Sequence, residues 1–272
     1  MAEKQLIVAV EGTAAMGPFW PSVLSDYLEK IIRCFYGSDS TSQKPPSSSA
    51  ELSLVTFNSH GSYSACLVQR SGWTKDVDLF LQWLSAIPFA GGGFSDAAIA
   101  EGLSEALMMF PTPAGTPAQQ NIEGQRHCIL IAASNPHPLP TPVYRPQLPN
   151  VEQSENIDVQ SESHLTDAET VAKSFSLCSV SLSVICPKQL PKLKSIYNAG
   201  KRNTRAADPP VDSVKNPHFL VLISEIFMEA RAALSHSGAA NLSSNQSPVK
   251  MDVASATSVA GPPATTIPSG CF

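Results

Sequence analysis

Charged residues are scarce in this sequence. Asp, Glu, Lys and Arg make up 15% of its 272 residues, and the formal net charge is -5. Nucleic-acid-binding domains usually carry a basic face, so this charge balance predicts no direct contact with nucleic acid. Long apolar runs are missing as well. None approaches the ~20 residues that cross a bilayer, which predicts no membrane partner and no signal peptide.

Cysteine pairs and histidine pairs are also absent. None of the six cysteines forms a CxxC pair, which favours free thiols in an intracellular protein over a disulfide framework. The six histidines show neither HxH nor HxxxH spacing and are interpreted as ordinary surface or loop residues. The glycine run 91–93 lacks the spacing of a phosphate loop, and Gly93-Phe94-Ser95 lacks the second glycine of a nucleophile elbow. We therefore expect no enzyme.

The most informative stretch that is present lies near the N-terminus. Leu6 to Val10 is an apolar run rich in Val and Ile, which predicts a strand buried on both faces. A sharp turn follows, and Pro18 stands where a helix would begin. Strand, loop and helix in this order open a parallel α/β sheet, whose functional crevice lies at the carboxyl ends of the strands. Glu11, Thr13 and Ala15 are at that end of the predicted strand.

Apolar periodicity predicts alternating strands and helices as far as residue 235. The predicted strands cover residues 5–10, 51–57, 61–69, 127–133, 179–186 and 218–223, and the predicted helices cover 18–36, 74–87, 99–110, 166–177, 189–200 and 224–235. Thr74 and Thr166 are the predicted N-caps of two helices. We expect a mostly parallel central sheet with one antiparallel edge strand, 61–69, and helices on both faces. Residues 1–236 would form one domain, and the Ser/Ala/Pro-rich residues 237–272 a disordered tail.

This order of elements resembles the von Willebrand factor A fold. In that family the first strand ends in the metal motif Asp-x-Ser-x-Ser, and a Thr in the glycine loop and an Asp after the central strand complete a Mg²⁺ or Mn²⁺ site. The corresponding positions here are Glu11, Thr13, Ala15, Phe94 or Ser95, and Ser134 or Asn135. Mg²⁺ demands strict octahedral geometry, so this degenerate set predicts no metal and no other cofactor. Glu11, Thr13 and Ser95 are instead expected to satisfy turns and helix N-termini.

The sequence is more specifically similar to the Mediator complex subunit 25 family, above all to its plant members. Five segments carry the similarity: Val8–Pro18, Leu54–Asn58, Gly91–Gly93, Ile99–Leu107 and Cys186–Pro191. The similarity implies a nuclear, non-enzymatic coactivator subunit whose A-type domain docks onto other Mediator subunits and helps to link DNA-bound activators to RNA polymerase II. The plant members imply roles in light, flowering and jasmonate-linked defence transcription. Their activator-binding domain follows later, so we expect this sequence to be an N-terminal part or a truncated form.

Candidate partner-binding residues lie in two segments. One is the Pro-rich loop 135–149, which includes Pro138 and Pro140. The other, the basic segment 188–205, contains six cations and no acid: Lys188, Lys192, Lys194, Lys201, Arg202 and Arg205. It is either a solvated helix face, a contact for an acidic partner, or a weak nuclear signal.

Exposed aromatics such as Trp20 or Trp73 are further candidates for partner contacts. Two other function classes stay open. A metal-dependent ligand-binding module would respond to Mg²⁺, Mn²⁺ or EDTA, and an enzyme using Ser95 or Glu11 would need a concave polar pocket that joins Ser95 to a histidine.

Overall fold

The protein is described by a computed structural model, which covers residues 4–37, 50–61, 66–93, 95–111, 125–144, 164–203 and 216–235. The predicted tail and the predicted domain boundary at residue 236 lie outside these ranges. Residues 145–149 of the Pro-rich loop, residues 204–205 of the basic segment, and Phe94 also lie outside them.

Within these ranges, eight strands form one large and one small sheet. They are β1 (Lys4–Glu11), β2 (Ala50–Phe57), β3 (Val68–Arg70), β4 (Gln125–Ile131), β5 (Thr141–Val143), β6 (His164–Thr166), β7 (Ser181–Cys186) and β8 (Leu220–Leu222). The large sheet has the order β3-β2-β1-β4-β7-β8. Its four central strands run parallel, which confirms the predicted α/β sheet. Strand β3 is antiparallel at one edge as predicted, although it covers only Val68–Arg70 where the prediction was 61–69.

Two features of the sheets differ from the prediction. Strand β8 pairs antiparallel to β7, so the large sheet has an antiparallel strand at both edges. Apolar periodicity carries no information on strand direction, which is why the sequence did not reveal this pairing. The second difference is the ribbon of β5 and β6, because β5 lies in a stretch predicted to be irregular from its prolines. The Ser104 hydroxyl donates to the Tyr144 carbonyl at 2.7 Å and holds β5 against a helix.

The helices follow the predicted order. A 3₁₀ turn (Gly17–Phe19), α1 (Trp20–Val23), a π turn (Leu24–Leu28) and α2 (Glu29–Tyr36) replace the single helix predicted over 18–36. The others are α3 (Val77–Ser85), α4 (Ile99–Met109), α5 (Ala168–Leu177), α6 (Pro191–Gly200) and α7 (Met228–Ser235). None of the helices in the described part of the chain is long and apolar enough to span a membrane.

Two predicted helix caps are one or two residues away from the observed ones. The N-cap of α3 is Asp76, whose carboxylate accepts from the Leu79 amide at 2.9 Å, and not Thr74. The N-cap of α5 is Asp167, which accepts from the Thr170 amide at 2.7 Å. In each case a carboxylate accepts the hydrogen bond from the N3 amide and also places its negative charge at the positive end of the helix.

The core is divided by the sheet into two apolar layers. Side chains alternate along β1, so that Leu6, Val8 and Val10 face one layer while Ile7 and Ala9 face the other. Helices α1 to α3 and α7 cover the first layer, and α4 to α6 cover the second. Helices therefore lie on both faces of the sheet, as predicted, and the loops at its carboxyl edge are held from both sides.

Gly102→Ala is expected to destabilise the protein by about 2 kcal/mol, the usual cost of overpacking a core. A Cβ at position 102 of α4 would lie 2.5 Å from Cδ1 of Phe57, a fully buried ring on β2. The clash should outweigh the gain of up to about 1 kcal/mol that alanine normally brings to a helix interior. Urea unfolding measures the effect. Phe57→Ala provides the control background, because it removes the two ring atoms at 2.5 and 2.7 Å and leaves only Cβ of residue 57, at 3.0 Å, so the cost should be smaller there. An equal cost in both backgrounds would contradict the close-packing explanation.

Candidate functional site at the carboxyl edge of the sheet

The candidate site forms where β1 and β4 end side by side. The two strands are parallel and in register from Lys4–Gln125 to Val10–Ile131, so Glu11 and the loop after β4 meet at one edge. The Gly12 amide donates to the Phe57 carbonyl at 2.8 Å and continues the pairing with β2. Glu11 and Thr13 are buried, although both are polar. Buried polar groups need hydrogen-bond partners, and the neighbouring loops supply them.

The Glu11 carboxylate accepts four hydrogen bonds. The hydroxyl groups of Thr13 and Ser134 donate to Oε1, the latter at 2.6 Å. The amides of Ala133 and Ser134 donate to Oε2 at 2.7 and 2.9 Å. A carboxylate offers about four lone-pair directions, so these donors use its whole accepting capacity. Through the Glu11 side chain, the network joins the end of β1 to both the backbone and a side chain of the loop after β4.

The glycine loop packs onto the same network. The Ala14 amide donates to the Gly91 carbonyl at 3.2 Å, and the Ala90 amide donates to the Gly12 carbonyl at 3.0 Å. Gly92 has a φ of 85°, and a Cβ there would lie 2.6 Å from Cβ of Thr13. Only glycine combines this left-handed conformation with so close an approach. The glycine run therefore brings backbone against Thr13.

The remaining positions of the metal motif lie apart from the carboxylate. Ala15 brings no oxygen ligand from its side chain, and its amide donates to the Thr13 hydroxyl at 3.3 Å. Ser95 is exposed, and its amide donates to the Gly92 carbonyl at 2.8 Å. The Asn135 carbonyl accepts from the Ala97 amide at 2.8 Å. Within the described ranges, no group of three or more His, Cys, Asp or Glu side chains could hold a metal ion.

Lys188 belongs to this edge, which the sequence did not reveal. Its ammonium donates to the Ala133 carbonyl at 2.8 Å and lies 5.8 Å from the ring centre of Phe19. Sequence spacing grouped Lys188 with the basic segment because it stands only four residues before Lys192. The parallel pairing of β4 and β7 places the ends of both strands together, so a lysine two residues after β7 reaches the loop after β4. A cation thus sits on the loop whose amides contact Glu11.

Among the described histidines, the buried His127 contradicts the interpretation as ordinary surface or loop residues, while His60 and His137 are loop residues that form a pair. His60 Nε2 lies 2.7 Å from Oε1 of Glu101, and the rings of His60 and His137 lie 4.4 Å apart at the same sheet edge. His127 on β4 is only 2% exposed and stacks on Phe227. These groupings join residues far apart in sequence, so no spacing rule could find them.

The predicted partner-binding residues are on separate surfaces. Pro138 and Pro140 are exposed in the turn before β5. Lys192, Lys194, Lys201 and Arg202 lie on α6 and directly after it. Trp20 is not exposed as predicted, because it is a core residue whose indole donates to the Leu84 carbonyl at 2.9 Å. Trp73 is half-buried against Phe110.

The mostly parallel sheet and the carboxylate with two hydroxyls at its carboxyl edge define a von Willebrand factor A-type domain with a degenerate metal motif. A family model described as "Mediator complex subunit 25 von Willebrand factor type A" matches residues 1–226. The chain belongs to this Mediator subunit 25 family.

Individual relatives agree with this assignment. The protein "Mediator of RNA polymerase II transcription subunit 25" of Solanum lycopersicum is 69% identical over 257 residues, which cover 94% of this chain and 32% of that protein. The protein of the same name from Arabidopsis thaliana is 66% identical over 249 residues, covering 92% of this chain and 30% of that protein. The chain therefore spans about a third of the length of these curated relatives. Among solved structures, the SpRpn10 VWA domain aligns at 17% identity and a TM-score of 0.43 over 75% of this chain and 85% of that one.

Proposed function

We propose that this domain is a non-enzymatic docking module that attaches its protein to other Mediator subunits in the nucleus, and that it does so without a metal ion. The tomato and Arabidopsis relatives, both Mediator subunits, support the Mediator assignment. Through that complex the protein would help to link DNA-bound activators to RNA polymerase II. The proposal includes a role in light, flowering and jasmonate-linked defence transcription, which the resemblance to the plant members of the family implies.

The four hydrogen bonds to Glu11 are the observation that supports metal-independent docking. A divalent cation at this position would have to displace donors that already use the whole carboxylate. It would also have to bind with one carboxylate, where Mg²⁺ needs a near-ideal octahedral set of oxygens. The network instead holds the loops after β1 and β4 in a fixed arrangement, which is what a preformed protein-binding surface requires.

Affinity purification of the tagged full chain from nuclear extract tests the proposal. We expect Mediator subunits in equal amounts with and without EDTA, and an unchanged melting temperature of the purified protein in millimolar Mg²⁺ or Mn²⁺. A bound ion at a hundred times its Kd would stabilise the protein by about 2.7 kcal/mol, which a melting curve detects readily. Recovery that depends on Mg²⁺ would favour the metal-dependent ligand-binding module instead, and recovery of no Mediator subunit would contradict the docking function.

A further inference from the structure

We infer that the basic segment binds an acidic stretch, rich in Asp and Glu, of another Mediator subunit. This inference rests on the proposed docking function and names the chemistry of the partner. The structure describes residues 188–203 of the segment, which run from the loop after β7 along α6. Their cations are Lys188, Lys192, Lys194, Lys201 and Arg202.

The charge of this segment is opposite to that of the protein as a whole. The chain has a net charge of -5, yet residues 188–203 hold cations and no acid. Helix α6 buries its apolar side, through Leu193, Ile196 and Tyr197, in the core layer that it shares with α5 and β7. Lys192 is exposed on the helix, and Arg202 is exposed two residues after its end. Over ten residues an α-helix rises about 15 Å, so the cations extend over a strip long enough to contact several residues of an extended peptide.

Among the described residues, Lys192 has two acids nearby, Glu169 and Asp167, on α5 and at its N-cap. Lys192 reaches Oε1 of Glu169 only at 4.0 Å, and the two side chains are 66% and 41% exposed. Such surface pairs are worth about 0–1 kcal/mol. Within the described residues, no carboxylate lies within 4 Å of Lys188 or Arg202. A partner carboxylate would therefore gain attraction without first displacing a strong internal pair.

Two of the cations are already held in place. The Ala133 carbonyl and the Phe19 ring position the ammonium of Lys188 at one end of the strip. The ammonium of Lys201, at the other end, lies 4.9 Å from the centre of the Tyr197 ring, which positions it. Ordering a free lysine side chain costs about 0.5–1.5 kcal/mol on binding, and prior positioning reduces that cost. A single narrow strip on a net negative protein suits a short acidic peptide better than the long polyanion of a nucleic acid.

A zero-length carbodiimide cross-linking experiment tests the chemistry directly, because it joins lysine amines only to carboxylates in contact with them. Mediator is recovered on the tagged full chain from nuclease-treated nuclear extract, cross-linked and analysed by mass spectrometry. We expect links from Lys188, Lys192 or Lys194 to Asp or Glu of one Mediator subunit. Mediator recovered with links only to other lysines would overturn the inference while leaving the docking function intact.

Charge reversal provides the second measurement. Lys192→Glu with Arg202→Glu should reduce recovery of Mediator at least tenfold at physiological salt, and Lys192→Gln with Arg202→Gln should reduce it less. The matched control is Arg70→Glu with Lys75→Glu, which makes the same change in net charge on and next to β3, at the opposite edge of the sheet. Arg70 pairs with Glu105 at 2.7 Å, and its reversal places two carboxylates together, so the melting temperature of every variant is measured and recovery is compared well below the lowest of them. Equal losses in the two reversed variants, or none in either, would overturn the inference. Failure of the unaltered chain to recover Mediator would overturn the docking function and this inference with it.

Discussion

Glu11→Gln should lower the free energy of unfolding by about 4 kcal/mol. The carboxylate is fully buried and accepts from two amides and two hydroxyls. An amide side chain of the same shape has one oxygen, so its NH₂ group must face either the amides of Ala133 and Ser134 or the two hydroxyls. Facing the two hydroxyls costs less, because their oxygens can accept from the NH₂ group, but both hydroxyls then lose the acceptor of their own hydrogen. Each such loss costs about 1–3 kcal/mol, and the charge-assisted strength of the bonds from the two amides is lost as well. Urea unfolding at neutral pH measures the effect.

A matched control is Glu51→Gln on the neighbouring strand β2. Glu51 is half-buried, contacts the Gln5 amide at 3.2 Å and approaches Lys75 only at 3.9 Å, so its loss should cost less than about 1 kcal/mol. The cost at Glu11 should be the same in Mg²⁺ and in EDTA, because hydrogen bonds and not a metal hold the carboxylate. A Glu11 cost that appears only in Mg²⁺, or one no larger than at Glu51, would contradict the hydrogen-bond network as the stabilising element.

The parts of this site that were predictable from the sequence are those encoded locally. The apolar run before Glu11 predicted β1, and the rule on carboxyl ends of parallel strands placed Glu11 and Thr13 at the functional edge. The sequence itself also shows that Ala15 and Ser134 stand where the metal motif of the family has a Ser and an Asp. The role of the glycine run as a tight backbone contact was also predictable, because its spacing fits no phosphate loop.

The remaining parts depend on contacts between residues far apart in the chain. Lys188 reaches the loop after β4 only because β4 and β7 are adjacent, and sequence spacing instead grouped it with the lysines of α6. The four donors to Glu11 include two backbone amides, which every sequence contains and no motif records. Strands β5, β6 and β8 have three residues each, which is too short for a clear apolar pattern. Periodicity therefore predicts neither the antiparallel direction of β8 nor the pairing of β5 with β6.

Burial of His127 should make the free energy of unfolding depend strongly on pH, with a loss of stability at acid pH. Its ring stacks on Phe227 with centres 3.9 Å apart and meets Phe35 edge-on, while Nδ1 is hydrogen-bonded to the Ser181 hydroxyl. Desolvation in this apolar surrounding is the largest influence and lowers the pKa of His127 to about 4, although the nearby Glu229 acts in the opposite direction. Lys4, which pairs with Glu229 at 2.7 Å, and Arg202 favour the neutral ring as well.

The unfolded chain therefore binds a proton at this histidine below about pH 6.5, whereas the folded protein binds it only near pH 4. The stabilisation that comes from keeping His127 neutral is fully present above about pH 6.5, and the free energy of unfolding falls as the pH drops from there to about pH 4. The loss should reach about 3 kcal/mol, since each pKa unit corresponds to about 1.4 kcal/mol.

His127→Phe keeps the stacking but cannot titrate, so unfolding free energies measured from pH 7.5 to about pH 4 should fall by about 3 kcal/mol less in the variant. Carboxylates such as Asp167, whose hydrogen bond to the Thr170 amide lowers its pKa, titrate in both proteins and cancel in the difference. Parallel curves for the two proteins would mean that His127 takes up its proton as readily in the folded chain as in the unfolded one, and that its aromatic surroundings do not exclude charge.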